Sequence, residues 1–180
     1  MIRRQNHSII LFLFAILLLS LAIGGCRSAN EGFAIYLSAQ DVRPQDMSQV
    51  ELSSVQLADT PLISVDDIVS YSGETHEIKL TPGAFADIQS LQLPSGGTVF
   101  IVCVDSKPIY WGGFWSELQL MLRCAGPPDG VTCAIPGNTS YMGHEANSIE
   151  LSFYSYDWKA SDPRSNPEII TSLERAGKLY

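Results

Sequence analysis

The sequence predicts an α+β domain: a mixed, mainly antiparallel sheet with helices packed on one face, preceded by a signal-peptide helix. Three observations carry that prediction. Thr98–Val104, TVFIVCV, is apolar at nearly every position, as expected of a central strand covered on both sides. Residues 75–80 and 148–156 alternate apolar with polar side chains, the period of a half-buried strand. Thr81-Pro82 and Asn166-Pro167-Glu168 each place a capping side chain before a proline at a first helical position.

The first element is an export signal. Arg3, Arg4 and His7 precede an apolar run from Ile9 to Gly25, which is 17 residues long and at the short end of what spans a bilayer. Ile23-Gly24-Gly25-Cys26 then has the layout of a bacterial lipobox: an aliphatic residue three places before a cysteine, with small residues between. Ile replaces the usual Leu, and Gly24 stands where Ala or Ser is more common. The expectation is cleavage before Cys26, lipidation of its thiol, and a short tether over residues 26–32. Several acyl chains on one residue hold a protein stably where one chain does not. Ordinary secretion and an uncleaved anchor are the alternatives. The expected location is the bacterial cell membrane, with one domain, residues 33–180, outside the cytoplasm.

Charge narrows the partners. The chain has 11 basic and 19 acidic residues. Arg3 and Arg4 leave with the signal, so the remainder carries 9 against 19, a net of minus ten. That balance argues against nucleic acid, which needs a basic footprint, and against electrostatic adhesion to anionic lipid. The partners expected are the bilayer, through acylated Cys26, and a protein, peptide or envelope component.

The remaining elements follow in order. Phe33–Ser38 reads as a strand. A polar connector leads to Val50–Leu57, VELSSVQL, which alternates as a second strand. Ser64 caps a short helix that has Asp66 and Asp67 in its first turn. His76, Ile78 and Leu80 share one face of the next strand. Phe85, Ile88 and Leu91 recur along the helix begun by Thr81-Pro82. Asp105-Ser106-Lys107-Pro108 reverses the chain after the central strand, and Ile109-Tyr110-Trp111 returns beside it. Gly112 and Gly113 imply a bulge or a close backbone approach. Residues 116–123 read equally as helix or strand. Ile169, Ile170, Leu173 and Ala176 form the stripe of the last helix, and Gly177 is its stop.

Residues 61–115 resemble part of the extracytoplasmic domain of the protein-export subunit SecD. The resemblance lies in PLISVDDIVSY, EIKLTPGAFADI and VFIVCVDSKPIYWGGF, in the order strand, helix, strand, returning strand. The family's usual Asp-Gly turn is Asp105-Ser106 here, and its bundle of membrane helices has no counterpart in these residues. The resemblance implies a shared fold element and an extracytoplasmic setting, not motor activity. The whole chain is also similar to a group of small bacterial lipoproteins, which implies location without mechanism.

Candidate chemistry is sparse. Cys103 reads as a buried small hydrophobe. Cys124 and Cys133 flank AGPPDGVT, where a disulfide would staple the mouth of a hairpin; two free thiols are the alternative. His76 reads as a hydrogen-bonded interior or edge histidine. His144-Glu145, Ser140 with either histidine, and the carboxylates Asp66, Asp67 and Asp105 lack a supporting catalytic motif. No catalytic residue, metal or cofactor is assigned. Tyr110, Trp111, Phe114 and Trp115 form an aromatic cluster around two glycines, which reads either as core packing beside a backbone bulge or as a binding patch, and they are the candidate binding residues. The expected function is noncatalytic binding by an anchored domain. The alternatives are an accessory or assembly factor of a membrane machine and an extracytoplasmic hydrolase.

Overall fold

The computed structural model describes residues 32–122, 130–136, 146–155, 157 and 159–180. The signal region, Cys26, Cys124, Ser140 and His144 lie outside the described residues, and with them the expected signal helix and tether. Among the described residues eight strands form one sheet: β1 (Phe33–Leu37), β2 (Ile63–Ser64), β3 (Ile68–Tyr71), β4 (Glu77–Leu80), β5 (Thr98–Val104), β6 (Lys107–Ser116), β7 (Gly130–Ile135) and β8 (Ser148–Tyr154). The α-helices among these residues are α1 (Pro82–Gln89), α2 (Glu117–Met121) and α3 (Pro167–Arg175). The sheet order is β2-β1-β5-β6-β7-β8-β4-β3. Every pairing is antiparallel except β6 with β7.

Connectivity forces this sheet to curl. β2 and β3 lie at opposite edges, yet only Val65–Asp67 separates them. Flat, eight strands would hold their edges roughly 34 Å apart. The chain from Ser64 to Ile68 spans at most about 14 Å. The two edges therefore approach each other and the sheet becomes a near-barrel. The Phe33 and Tyr71 rings, from β1 and β3, meet edge to face across the gap with centroids 6.1 Å apart. Residues Lys178–Tyr180 continue the closure: Tyr71 N–H donates to Lys178 O at 2.7 Å, and Tyr180 N–H donates to Tyr71 O at 3.1 Å.

The curled sheet encloses the main core. Phe33, Ile35, Ile78, Phe100, Phe114, Leu151 and their neighbours fill it, with Ala84 and Ile88 of α1 and Ile169 and Leu173 of α3. The caps are those expected. Thr81 Oγ1 accepts from Ala84 N–H at 3.4 Å and Asn166 Oδ1 accepts from Glu168 N–H at 2.8 Å. The Ser64 element is a 3-10 turn, Val65–Asp67, in which Asp67 accepts from both the backbone N–H and the hydroxyl of Ser64.

A second, smaller core lies on the outer face of β1 and β5, where Ala34, Tyr36, Val99, Ile101 and Cys103 pack with Met47 and Val55. This corrects one expectation. Val50–Leu57 is not a strand: 3-10 turns at Pro44–Gln49 and Leu52–Ser54 lay the connector over the sheet, and only Leu57 bridges to Ser38. Its alternation reflects apolar anchors in an irregular cover. Helices α1 and α3 pack with the core as predicted, but irregular chain covers the other face. That double cover is why β5 is apolar on both sides.

The β5–β6 hairpin turns on Asp105 and Ser106, both at positive φ (51° and 63°), the conformation a two-residue hairpin of the I′ type requires. The Asp105 carboxylate accepts from Gly32 N–H at 2.6 Å and so also ties down the start of β1. Gly112 and Gly113 provide a close approach. A Cβ on Gly112 would lie 2.3 Å from the Phe100 ring, and one on Gly113 would lie 2.2 Å from the Trp115 indole. Gly97, at φ +81°, meets the same indole. Gly113→Ala is therefore expected to destabilise the domain by about 1–3 kcal/mol through overpacking, read as a lower urea midpoint at unchanged slope; a wild-type midpoint would show that the indole does not rest on that backbone.

Candidate functional site

The four clustered aromatics separate in space. Alternation along β6 sends Tyr110 and Phe114 into the main core and Trp115 beneath the outer cover. These three are 5%, 0% and 2% exposed, so they are packing residues and not a surface patch. Phe114 lies on Phe100 with ring centroids 4.4 Å apart. Trp111 alone remains half-buried, on the outer face opposite Ile101 of β5.

Trp111 opens onto a groove of about 640 Å³. Trp111 and Gly130 line it together with Pro44, Gln45 and Ser48 of the 3-10 turn, and Phe153, whose side chain packs with the main core, borders it near the end of β8. The opposite wall is Ser155, Ala160, Ser161 and Pro163. None of these residues is charged. Gly130, at φ +114°, lies against the indole: a Cβ there would be 3.8 Å from Trp111 Cη2.

A part-buried polar cluster holds the second wall. Asp162 and Arg164 flank Pro163. Arg164 Nε donates to both Asp162 oxygens at 2.9 and 3.1 Å, and Nη2 donates to Oδ2 at 2.5 Å. Arg164 Nη1 donates to Leu151 O, tying the segment to β8. The guanidinium also stands 5.9 Å from the centroid of the Phe153 ring, a cation–π arrangement. Asp162 Oδ2 lies 3.8 Å from His76 Nε2, and His76 Nδ1 lies 3.0 Å from the Tyr71 hydroxyl. With the ring protonated on Nε2, toward Asp162, the Tyr71 hydroxyl donates a hydrogen bond to Nδ1.

His76 is an interior, hydrogen-bonded histidine, 4% exposed, but it precedes β4 and does not share a strand face with Ile78 and Leu80 as expected, because its φ of 58° is left-handed and not extended. Burial, and then the Arg164 charge, hold its pKa below the ordinary 6.5 against the pull of Asp162 and Glu150. Desolvation pushes the Asp162 carboxyl up, but the Arg164 hydrogen bonds and charge, with His76, outweigh it and keep its pKa low. Burial raises the Tyr71 and Tyr110 hydroxyls well above the phenol range. The cluster is chemically a clamp: it fixes the segment that forms the groove wall, with the imidazole enclosed.

Cys103 and Cys133 are free and buried, and burial pushes the Cys103 thiol up to about 12 and the Cys133 thiol higher still. The expected partner of Cys133, Cys124, lies outside the described residues. No hairpin joins the flanking segments, because β6 and β7 run parallel. Asp67 serves a cap and Asp105 a turn. Among the described residues no three His, Cys, Asp or Glu side chains gather to hold a metal, and no helix is long and apolar enough to cross a membrane.

Sequence reasoning missed Asp162, Arg164 and both groove walls. Asp162-Pro163 carries a legible turn signal, since Asp162 Oδ1 accepts from Arg164 N–H at 2.9 Å. Nothing local announces that Arg164 reaches across to Leu151. Comparison with protein-family models, curated proteins and solved structures returns no match.

Two titrations set the expected pH response. Unfolded His76 takes a proton near 6.5 and the folded ring resists it, so the unfolded state binds more protons and stability falls as pH drops through 6.5 toward the folded value. Asp162 adds a second loss, beginning as pH falls through 3.8. Thermal melting from pH 7.5 to 5 should show a falling midpoint that His76→Gln flattens; an unchanged slope in the variant would remove His76 as its source.

Proposed function

We propose that this chain is a lipid-anchored protein of the bacterial cell membrane, whose extracytoplasmic domain binds a partner without performing chemistry on it. The observation that carries the binding reading is the groove at Trp111. It sets a half-buried indole among small polar residues in a cleft of about 640 Å³, within the usual size of ligand sites. The Asp162–Arg164 clamp braces one of its walls, and preorganised walls reduce the ordering cost of binding.

The anchor reading rests on Arg3, Arg4, the apolar run to Gly25 and the lipobox ending at Cys26. The geometry adds a consequence. Gly32 is held to Asp105 at one end of the β5–β6 hairpin, and the chain from Cys26 to Gly32 spans at most about 21 Å. An acylated Cys26 keeps that end of the domain near the bilayer. A second reading, accessory to a membrane machine, draws support from the chain order β4, α1, β5, β6, which is the order in the SecD-like stretch. β4 and β5 are not sheet neighbours here.

Intact mass of the membrane-extracted protein tests the anchor. The expected mass corresponds to cleavage before Cys26 plus acyl chains, with acylation lost in Cys26→Ser. An unmodified precursor would make residues 9–25 a membrane anchor, and a cleaved chain without lipid would make the protein a secreted one.

A further inference from the structure

We infer that His76, Asp162 and Arg164 form an acid-sensitive latch, and that protonation of the imidazole releases residues 160–166 from the sheet. This segment carries Ala160, Ser161 and Pro163 to the Trp111 groove. The release is a property of the fold, and its effect on binding rests on the binding reading above. Side chains hold the segment in place. The N–H groups of Ala160, Arg164 and Asn166 donate to Asp157 O, Asp162 Oδ1 and Pro163 O, all within the same stretch of chain. The hydrogen bond that ties the segment to the sheet comes from Arg164, whose Nη1 donates to Leu151 O on β8. The guanidinium also lies over Phe153. Asp162 fixes that guanidinium through the hydrogen bonds it accepts from Nε and Nη2.

His76 stands where it can undo this arrangement. Its Nε2 lies 3.8 Å from Asp162 Oδ2, the oxygen that accepts from both Nε and Nη2 of Arg164. A neutral ring leaves that oxygen to Arg164. An imidazolium is a second cation beside the guanidinium and competes with it for the same oxygen. Protonation also turns Nδ1 from an acceptor into a donor, so the Tyr71 hydroxyl, 3.0 Å away, can no longer donate to it. Among the described residues, Asp162 of the segment and Glu150 of β8 favour the charged ring, and Arg164 opposes it. Tyr71 of β3 and Tyr110 of β6 remain neutral, since burial raises both hydroxyls. Burial decides the balance in favour of the neutral ring, which is enclosed while the segment is in place. The imidazole takes a proton more readily once the segment has lifted and water reaches it, so acid favours the released state. Release withdraws Ala160, Ser161 and Pro163 and opens the groove on that side.

The test is hydrogen–deuterium exchange of the full-length, membrane-extracted protein in detergent at pH 7.5 and pH 5.5, corrected for intrinsic exchange and resolved into peptides by mass spectrometry. Peptides from β5, at the centre of the core, report global opening. The expected result has two parts. Residues 160–166 exchange with much lower protection than β5 at both pH values, which shows that they open on their own. Their protection falls between pH 7.5 and pH 5.5 by up to about tenfold, the limit for one group with a released-state pKa near 6.5, and His76→Gln abolishes that fall. His76→Asn is the second non-titrating variant, because Asn accepts the left-handed φ of this position. Protection equal to that of β5 would overturn the latch, as would a wild-type segment indifferent to pH or a fall that persists in both histidine variants. If neither histidine variant folds, Asp162→Asn decides: it should lower the protection of 160–166 already at pH 7.5, and wild-type protection there would overturn the latch. No ligand enters these measurements, so the binding reading stands or falls separately.

Discussion

The three residues between β2 and β3 constrain the rest of the molecule. Because Val65–Asp67 must bridge opposite edges of an eight-stranded sheet, the sheet cannot lie flat. Curling it creates an interior that side chains from every strand must fill, and edges that must be protected. The interior takes Phe33, Phe100, Phe114 and the isoleucines of several strands. Near the meeting edges, the Phe33–Tyr71 contact and the Lys178–Tyr180 segment cover groups that a flat sheet would leave to solvent. The capping interaction of Asp67 with Ser64 therefore does more than start a turn; it sets the direction in which the chain leaves one edge for the other.

Closure also brings polar groups together. Tyr71 and His76 belong to the β3–β4 hairpin, whereas Asp162 and Arg164 belong to the segment before α3. They meet because β4 pairs with β8, and Arg164 reaches the carbonyl of Leu151 on β8. Removing this ion pair from solvent carries a desolvation cost, offset by the several hydrogen bonds Arg164 makes. The result is a rigid link between the core and the groove wall at Ala160, Ser161 and Pro163. Stability and the shape of the candidate site are thus connected through the same side chains.

The outer cover has a different origin. Trp115 lies flat because Gly97 and Gly113 present bare backbone to it. The indole and the 3-10 turn at Pro44–Gln49 then pack together: a Cβ on Gly113 would approach both Trp115 and Pro44. That same turn supplies Pro44, Gln45 and Ser48 to the groove. Trp111, four residues earlier on β6, is left at the border of the cover, and its half-exposure follows from where the cover stops.

Local chemistry in the sequence determined the strands at Phe33, Thr98 and Ser148, the helix starts at Thr81 and Asn166, the Ser64 cap and the Asp105-Ser106 reversal. Each is governed by side chains a few residues apart, through alternation, capping or turn preference, and those forces act before the chain is folded. Residues 50–57 show the limit of such patterns: their alternation is satisfied by anchors in an irregular cover as well as by a strand. Tertiary structure alone decided the parallel β6–β7 pairing, the near-closure of the sheet, the burial of Tyr110, Phe114 and Trp115, and the meeting of His76 with Asp162. Those outcomes depend on contacts between residues tens of positions apart, and burial of an aromatic is a property of what packs over it. Hence the sequence identified the aromatic cluster, and only the fold distinguished the one ring at a groove from the three that build the core.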